Sequence, residues 1–343
     1  MAALGGILPL LTSRIAPANC WSARAIRTYL RLFNMRRKSI LSENEIQTII
    51  NSIVLSPRSH KQIRINPIHY HLTIIILCSE RDKDIISNTI SFALEATNHQ
   101  FDIKEVVIVA PMNLIPTLNT SLSQQIKNSN VRILNENLVL DFAKISERFE
   151  KTFPTRGSWC AQQILKVEMI LNSRSDFALI IDADTLLLRK RNWVDETGSQ
   201  ILTPSLEYQP QYYQFLETLG VNIQKPSLSF VSHHMLYRVK TFREMFEDLS
   251  IRNTEDLILK IENSKHENLI SPFCVDYELY AQYLYSKSSA KYRIERWANL
   301  SLPRDFLYVF MKQKLTRLLV RQFFNSVSFH WWALSGSNRR PTD

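Results

Sequence analysis

The sequence predicts an α/β fold with a mostly parallel central sheet. Short, continuous runs of β-branched and aliphatic residues recur along the chain, and segments with apolar residues at helical spacing separate them. Such runs are typical of strands buried on both faces of a parallel sheet, and their alternation with helices indicates βαβ units with right-handed crossovers. A chain of 343 residues with 45% hydrophobic content is also long enough to bury a large core.

Four apolar runs are the predicted core strands. The first begins at Tyr70 and continues as His-Leu-Thr-Ile-Ile-Ile-Leu-Cys. The second covers residues 105–110 and is stopped by Pro111, because proline cannot donate to a ladder of strand hydrogen bonds. The third covers residues 131–134 and the fourth residues 177–181.

Helices are predicted between and after these strands. Apolar residues at helical spacing predict a helix over 84–96, and Ile164, Val167, Ile170 and Leu171 share one side of a second helix over 159–173. From residue 190 the pattern is irregular, with helical segments expected near 240–262 and 276–285. A glycine-rich phosphate loop is excluded, since the whole chain has six glycines and neither a dinucleotide fingerprint nor a Walker motif.

Charge and cysteine content exclude several classes of protein. The net charge is +10, but residues 1–42 hold seven basic side chains and no acidic one, which leaves +3 for the rest. We therefore expect no nucleic-acid partner. The four cysteines have no paired spacing, so neither a zinc site nor a disulfide framework is predicted and a reducing cytoplasm is favoured. No apolar run approaches the roughly 20 residues that span a bilayer.

Two carboxylates follow the fourth strand directly, in the sequence Asp182-Ala-Asp184. Open α/β sheets bind ligands at the carboxyl ends of their strands, and period-two geometry would aim both side chains to one side of an extended backbone. Hard cations such as Mn²⁺ or Mg²⁺ are held by one or two carboxylates together with phosphate oxygens. We therefore predict that Asp182 and Asp184 bind such a cation. A helix cap with a salt bridge to Arg189 or Lys190 is the structural alternative.

Four further segments contain candidate site residues. Gln162 and Lys166 lie one helical turn apart and could face a phosphate or a sugar with Gln163, whereas Trp159 is interpreted as core. His233 and His234 follow an expected strand, so their rings should point to opposite sides, either toward an acceptor or metal or into a buried hydrogen bond. Asp276 and Glu278 are candidate general bases, although Asp276 could instead cap a helix. His330 is a candidate late metal ligand. In chain order, the last candidate residues of the four segments are Lys166, His234, Glu278 and His330.

The chain contains four notable blocks, at residues 159–166, 179–185, 231–235 and 276–280. In this order, they resemble a bacterial glycosyltransferase-like family of unknown precise function that is found among surface-polysaccharide genes. The resemblance covers roughly residues 70–300 and implies a GT-A fold, a Rossmann-like nucleotide-diphospho-sugar transferase fold, with an Asp-x-Asp metal site. It implies a nucleotide-sugar donor and a glycan or lipid-linked acceptor.

We expect an N-terminal extension, a transferase domain and a C-terminal tail along the chain. We expect a transferase domain over 67–330, with a donor and metal half at 67–189 and an acceptor half at 190–330. Residues 1–66 are interpreted as a disordered extension or a start codon assigned too far upstream, with a basic arm making peripheral membrane contact as an alternative, and 331–343 as an unstructured tail.

There are two rival functions for this chain. One is that of a haloacid-dehalogenase-like phosphatase, a family whose catalytic strand also ends in two aspartates. That family expects Thr or Val two residues beyond the second aspartate and a strand early in the fold, whereas Thr185 is adjacent and the strand is the fourth. The other rival is a catalytically silent binding module that kept the GT-A scaffold.

Overall fold

The structure is a computed structural model that describes residues 70–330 except 98, 129, 206, 208, 224–227, 267, 268, 270, 271, 288–290 and 296. The expected extension at 1–66 and the tail at 331–343 lie outside the described residues. The division of the domain at residue 189 stays a prediction.

Ten strands are found in the described part of the chain. Five of them form the central sheet in the order β3-β2-β1-β4-β7, and only β7 runs antiparallel to its neighbour. The predicted α/β class with a mostly parallel central sheet is therefore confirmed. A second sheet has the order β5-β10-β9, and β6 pairs with β8. The strands are β1 Tyr70–Leu77, β2 Phe101–Ala110, β3 Val131–Asn135, β4 Phe177–Asp182, β5 Thr185–Leu187, β6 Gln200–Leu202, β7 His234–Arg238, β8 Tyr292–Ile294, β9 Asn299–Pro303 and β10 Ser326–His330.

Helices connect these strands and follow the predicted segments with shifted ends. The segment expected as one helix near 240–262 is two helices, because Ser250 adopts a left-handed backbone (φ 53°) and Asn253 caps a new helix by accepting a hydrogen bond from the Asp256 amide. None of the described helices has the length and apolarity needed to cross a membrane. The helices are α1 Ile86–Thr97, α2 Ile115–Ser121, α3 Ser123–Asn128, α4 Phe142–Thr152, α5 Gly157–Leu171, α6 Pro210–Thr218, α7 Val239–Asp248, α8 Thr254–Asn263, α9 Glu278–Ser286, α10 Phe306–Lys312 and α11 Lys314–Phe323.

The central sheet lies between two hydrophobic cores, as strand alternation requires. Along β4, Ala178 and Ile180 pack into the core that contains α5 and α7, whereas Phe177, Leu179 and Ile181 pack into the core that contains α1. All five side chains are fully buried. A strand buried on both faces explains the uninterrupted apolar run in the sequence, and it leaves Asp182 as the first polar residue at the strand end.

The strand order places a topological switch point between β1 and β4. The chain proceeds from β1 outward to β2 and β3 on one side and then returns to place β4 on the other side of β1. Helices that leave the two strands in opposite directions open a crevice at their carboxyl ends, where α/β sheets bind ligands.

Candidate functional site

A cavity of about 540 Å³ opens at this switch point. Its walls include the end of β1 with the residues that follow it (77–82), the end of β4 with its turn (182–184), and one side of α5. Further walls come from the chain before β7 and before α9, and from the end of β10. A cleft of this size is typical of small-molecule sites.

Asp182 makes four polar contacts with its surroundings. Its backbone amide donates to the carbonyl of His233 (2.9 Å), and its Oδ1 accepts from Lys166 Nζ (2.8 Å) and from the Tyr277 hydroxyl (2.6 Å). The second oxygen lies 3.2 Å from His233 Nδ1. Burial on its own would raise the pKa of Asp182, but the Lys166 charge and the His233 contact lower it well below its ordinary value. Asp182 is therefore ionised at neutral pH.

Lys166 bridges two carboxylates inside the protein. Its Nζ donates to Asp182 and also to Asp276 Oδ2 (2.8 Å), and it lies 4.6 Å from the centre of the Tyr277 ring. Only 10% of the Lys166 side chain and 7% of the Asp276 side chain are exposed. Burial lowers the pKa of Lys166, but the two carboxylates more than offset this and raise it. The ammonium thus remains charged and is already neutralised within the protein.

Asp184 pairs with the last described strand. Its Oδ2 lies 3.0 Å from His330 Nδ1, and its backbone carbonyl accepts from the Phe329 amide (2.9 Å). Residues 183 and 184 form a turn rather than an extended strand, so the prediction that period-two alternation aims the two aspartates together was wrong in its geometry. Both side chains nevertheless line the cavity, and Thr89 on α1 fixes the turn by donating to the Ala183 carbonyl (2.6 Å).

His233 has a left-handed backbone conformation, with φ at 60°. This conformation is costly for a residue with a Cβ and marks a position determined by its surroundings. It turns the carbonyl of His233 to the Asp182 amide and its ring to the Asp182 carboxylate. Burial opposes protonation of His233, but Asp182 raises its pKa above the ordinary value. The ring also lies 4.9 Å from that of His330, so the two aspartates and the two histidines form one cluster.

Seven of the ten predicted site residues line this cavity. The predicted pairing of Gln162 with Lys166 on one side of α5 is consistent with their common position on the cavity wall. Neither Arg189 nor Lys190 provides the carboxylate contacts described above, and Arg189 Nε donates instead to the carbonyl of Arg321. The seven are Gln162, Lys166, Asp182, Asp184, His233, Asp276 and His330.

Glu278 does not line the cavity, which corrects its candidacy as a general base. Its side chain is fully buried and accepts hydrogen bonds from Ser229 Oγ (2.8 Å), the Phe230 amide (2.8 Å) and Gln282 Nε2 (2.9 Å). It therefore fixes the segment that leads to His233. Burial raises its pKa to about 7, although those hydrogen bonds oppose the shift.

Two predicted substrate-binding residues are also structural. Gln163 is buried and its Oε1 accepts from the Val275 amide (2.9 Å), which fixes the chain next to Asp276. His234, and not the residues before it, begins β7; its ring is fully buried and lies 4.6 Å from the Trp297 ring. Burial, with a smaller effect of Arg191, lowers the pKa of His234 to about 3, so it is neutral. His233 lines the cavity and His234 does not, as expected if the two rings point to opposite sides.

The segment after β1 was missed at the sequence level. Asp82 lines the cavity, accepts a hydrogen bond from Ser79 Oγ (2.6 Å) and lies 3.7 Å from Arg304 Nη1. Burial, together with the negative charge of Asp184, raises its pKa to about 6. The run Ser79-Glu-Arg-Asp82 directly follows the first buried strand, so the rule that identified Asp182 could have found it. Trp159, interpreted as core, is half-buried and also lines the cavity.

The aspartate and histidine cluster partly fits a divalent cation. Carboxylate oxygens and imidazole nitrogens are donors that Mn²⁺ accepts. Across the described residues, however, no three or more His, Cys, Asp or Glu side chains are grouped so that they could hold a metal ion by themselves. The oxygens of Asp182 are also engaged by Lys166, Tyr277 and His233. A cation here would need ligands from outside the protein, which is usual for Mg²⁺-type sites at phosphates.

Comparisons with known proteins find distant structural likenesses. No protein-family model matches the chain, and no curated protein matches it. The galactosyltransferase LgtC, solved with donor and acceptor sugar analogues, is 14% identical, with 75% of this chain and 86% of that chain covered and a TM-score of 0.42. Mouse xyloside xylosyltransferase 1 is 11% identical, with 76% and 97% covered and a TM-score of 0.42. A mannosyltransferase from Pyrobaculum calidifontis, in complex with GDP-Man and Mn²⁺, is 12% identical, with 70% and 64% covered and a TM-score of 0.30. Likenesses this distant assign no function to this chain.

Proposed function

We propose that this chain is a metal-dependent glycosyltransferase of the GT-A type. It moves a sugar from a nucleotide-sugar donor to a glycan or lipid-linked acceptor, and the resemblance in its sequence blocks favours a role in surface-polysaccharide synthesis. The main supporting observation is that Asp182 and Asp184 line a cavity at the switch point of a parallel sheet. Nucleotide ligands of open α/β sheets bind at this point.

The reaction requires compensation of negative charge. The bond between the anomeric carbon and the donor diphosphate breaks, a bond to an acceptor hydroxyl oxygen forms, and the diphosphate leaves with additional negative charge. The proton of the acceptor hydroxyl is released to water. A bound Mn²⁺ or Mg²⁺ supplies compensation for that charge. Asp182 and Asp184, with His330 beside Asp184, are the residues that would hold the cation in this proposal.

Lys166 and Asp276 act indirectly in this proposal. Both oxygens of Asp276 accept hydrogen bonds within the protein, one from Lys166 Nζ and one from Cys274 Sγ (3.3 Å). A general base needs an oxygen that faces the acceptor hydroxyl. We therefore assign Asp276 to holding Lys166, and Lys166 to orienting Asp182, in place of proton removal and direct phosphate contact.

The test compares Asp184→Asn with Asp102→Asn. Asp102 is half-exposed and pairs with Lys104 (2.6 Å) away from the cavity, so it controls for the loss of one carboxylate. Hydrolysis of a panel of nucleotide sugars is measured with and without Mn²⁺, and Mn²⁺ affinity is measured by calorimetry. Asp184→Asn should lose at least about 100-fold in turnover, as expected when a group that stabilises transition-state charge is removed. Equal turnover in the two variants would refute the metal assignment.

A catalytically silent binding module of the same fold is the second candidate. This candidate is favoured because Asp182 already accepts hydrogen bonds from Lys166 and Tyr277. Among the described residues, the aspartates and histidines therefore do not form a complete set of metal ligands. Both candidates predict that a nucleotide stabilises the protein, by about 2.7 kcal/mol when its concentration is 100 times Kd. Only the transferase predicts that Mn²⁺ increases this stabilisation and that a donor sugar is released.

A further inference from the structure

The helices α10 and α11 form a basic surface element next to the cavity. No Asp or Glu occurs from residue 306 to 330, whereas Lys312, Lys314, Arg317 and Arg321 are basic. The two helices are joined by Arg317 Nη1, which donates to backbone carbonyls at the end of α10. The basic surface extends to the loop after β5, where Arg189 Nε donates to the Arg321 carbonyl.

Positive charges within this element repel one another. Burial and, to a smaller extent, the Arg321 charge lower the pKa of Arg189. Lys190 follows and is exposed. The carboxylate of Glu95 lies 3.1 Å from Arg321 Nη2, and Asp305 precedes α10, so acidic groups offset only part of this charge. Such a surface favours a polyanionic partner.

Exposed apolar side chains accompany the basic ones. Tyr308 is 64% exposed and Leu318 is 49% exposed. Lys312 Nζ lies 4.2 Å from the centre of the Tyr308 ring, and Leu318 is one helical turn from Arg321. Exposed aromatic and aliphatic groups between lysines and arginines are typical of helices that lie in the interface of a lipid bilayer. A nucleic acid would be met by the basic groups alone and would leave Leu318 in water.

We propose that the surface formed by 189–190 and 306–323 docks on an anionic phospholipid membrane. The charges match the anionic headgroups, and Tyr308 and Leu318 enter the interface between them. This inference does not depend on the proposed transferase activity. It also concerns different residues from the basic arm considered at residues 1–42.

The element lies beside the cavity at both of its ends. Arg304, just before α10, donates to the carbonyl of Arg81 on the cavity wall (3.0 Å), and β10 after α11 ends at the cavity residue His330. A membrane bound to this surface would bring lipid headgroups close to the site. If the transferase proposal holds, a lipid-linked acceptor follows from this arrangement.

The experiment measures co-sedimentation of the full chain with vesicles of phosphatidylcholine mixed with phosphatidylglycerol, and with vesicles of phosphatidylcholine alone. The face variant is Lys190→Gln/Lys312→Gln/Arg321→Gln. The control variant is Lys151→Gln/Lys240→Gln/Arg252→Gln, which removes three exposed basic groups from α4, α7 and the loop before α8 and leaves residues 1–42 unchanged. Each basic group near an anionic surface changes the partition coefficient about fivefold, so the face variant should lose on the order of 100-fold.

Two further measurements keep the proposal open to refutation if a variant folds poorly. Tyr308→Ser/Leu318→Ser should lose about tenfold of the partitioning that persists in high salt. In the unmodified protein, vesicles should slow amide hydrogen exchange over 306–323 but not over 142–152. The proposal is overturned if the face and control variants lose binding equally, if protection is absent from 306–323, or if duplex DNA binds and anionic vesicles do not.

Discussion

Replacement of Lys166 by Met tests the contacts that organise the site. The substitution keeps an unbranched apolar stem of similar volume and removes the ammonium that binds Asp182 and Asp276 at 2.8 Å each. Removal of one partner from a buried ion pair costs about 3–5 kcal/mol, because the remaining charge is left uncompensated. The cost of leaving Asp276 without Lys166 falls in this range because Asp276 is buried, whereas Asp182 keeps its contacts with Tyr277 and His233. We expect the free energy of unfolding to fall by about 3–5 kcal/mol at pH 8.

The loss should depend on pH in one direction. In the unmodified protein the pKa of Asp182 is lowered, so its contribution is present above its unfolded pKa of about 4 and is lost only in stronger acid. Without Lys166 the largest charge that lowers the pKa of Asp182 is gone, so this pKa moves back toward the unfolded value while the His233 contact remains. The variant therefore loses stabilisation that the unmodified protein has above about pH 4. The difference between the two proteins should be smaller at pH 3 than at pH 8.

Urea unfolding at both pH values measures this difference. The control is Lys151→Met, since Lys151 is 72% exposed and forms a surface pair with Glu147 that contributes little. A double-mutant cycle with Asp276→Asn should give a coupling energy of about 2 kcal/mol or more. A loss below about 1 kcal/mol, or the same loss at both pH values, would contradict the inferred role of Lys166.

Three further predictions concern the surroundings of the site. Because the pKa of Glu278 is raised to about 7, its burial destabilises the protein progressively as the pH rises from about 4.5 to 7. Glu278→Gln lacks this effect. Between pH 5 and 8, its free energy of unfolding should therefore increase by about 3 kcal/mol relative to that of the unmodified protein, as measured by urea unfolding. Tyr277→Phe removes the hydroxyl that donates to Asp182 and should cost about 1.5–3 kcal/mol in the same assay, with Tyr292→Phe as the partly exposed control. Gly157→Ala should cost about 1–3 kcal/mol in thermal unfolding, because an added Cβ would lie 2.3 Å from the Ser146 carbonyl oxygen; equal stability would mean that α4 and α5 can separate.

The central sheet could be predicted because its signal is local. Each of the first four strands is a compact apolar run, and burial on both faces produces that run directly. β7 has no such signal, since it is only five residues long and begins and ends with the polar residues His234 and Arg238. The extra length of β2 has no such signal either. Residues 101–104 are polar or mixed in sequence and pair with β1 only because that strand is adjacent.

The site was predictable where the sheet places residues and unpredictable where long-range contacts do. Asp182 could be found because it ends a buried strand, and Asp82 could have been found by the same rule. The burial of Glu278 could not, because its partners at Ser229 and Phe230 come from a distant irregular segment. The left-handed backbone of His233 likewise depends on its contact with the end of β4.

Compensation of the Asp182 charge inside the protein is one difference between the sequence hypothesis and the structure. Carboxylates set in apolar sequence suggest a need for an external cation, but Asp182 is met by Lys166, Tyr277 and His233, and Asp184 by His330. An uncompensated buried carboxylate costs several kcal/mol, so these contacts allow the cluster to fold without a metal. Under the proposed function, a divalent cation is therefore required by the charge of the departing diphosphate and not by the stability of the fold.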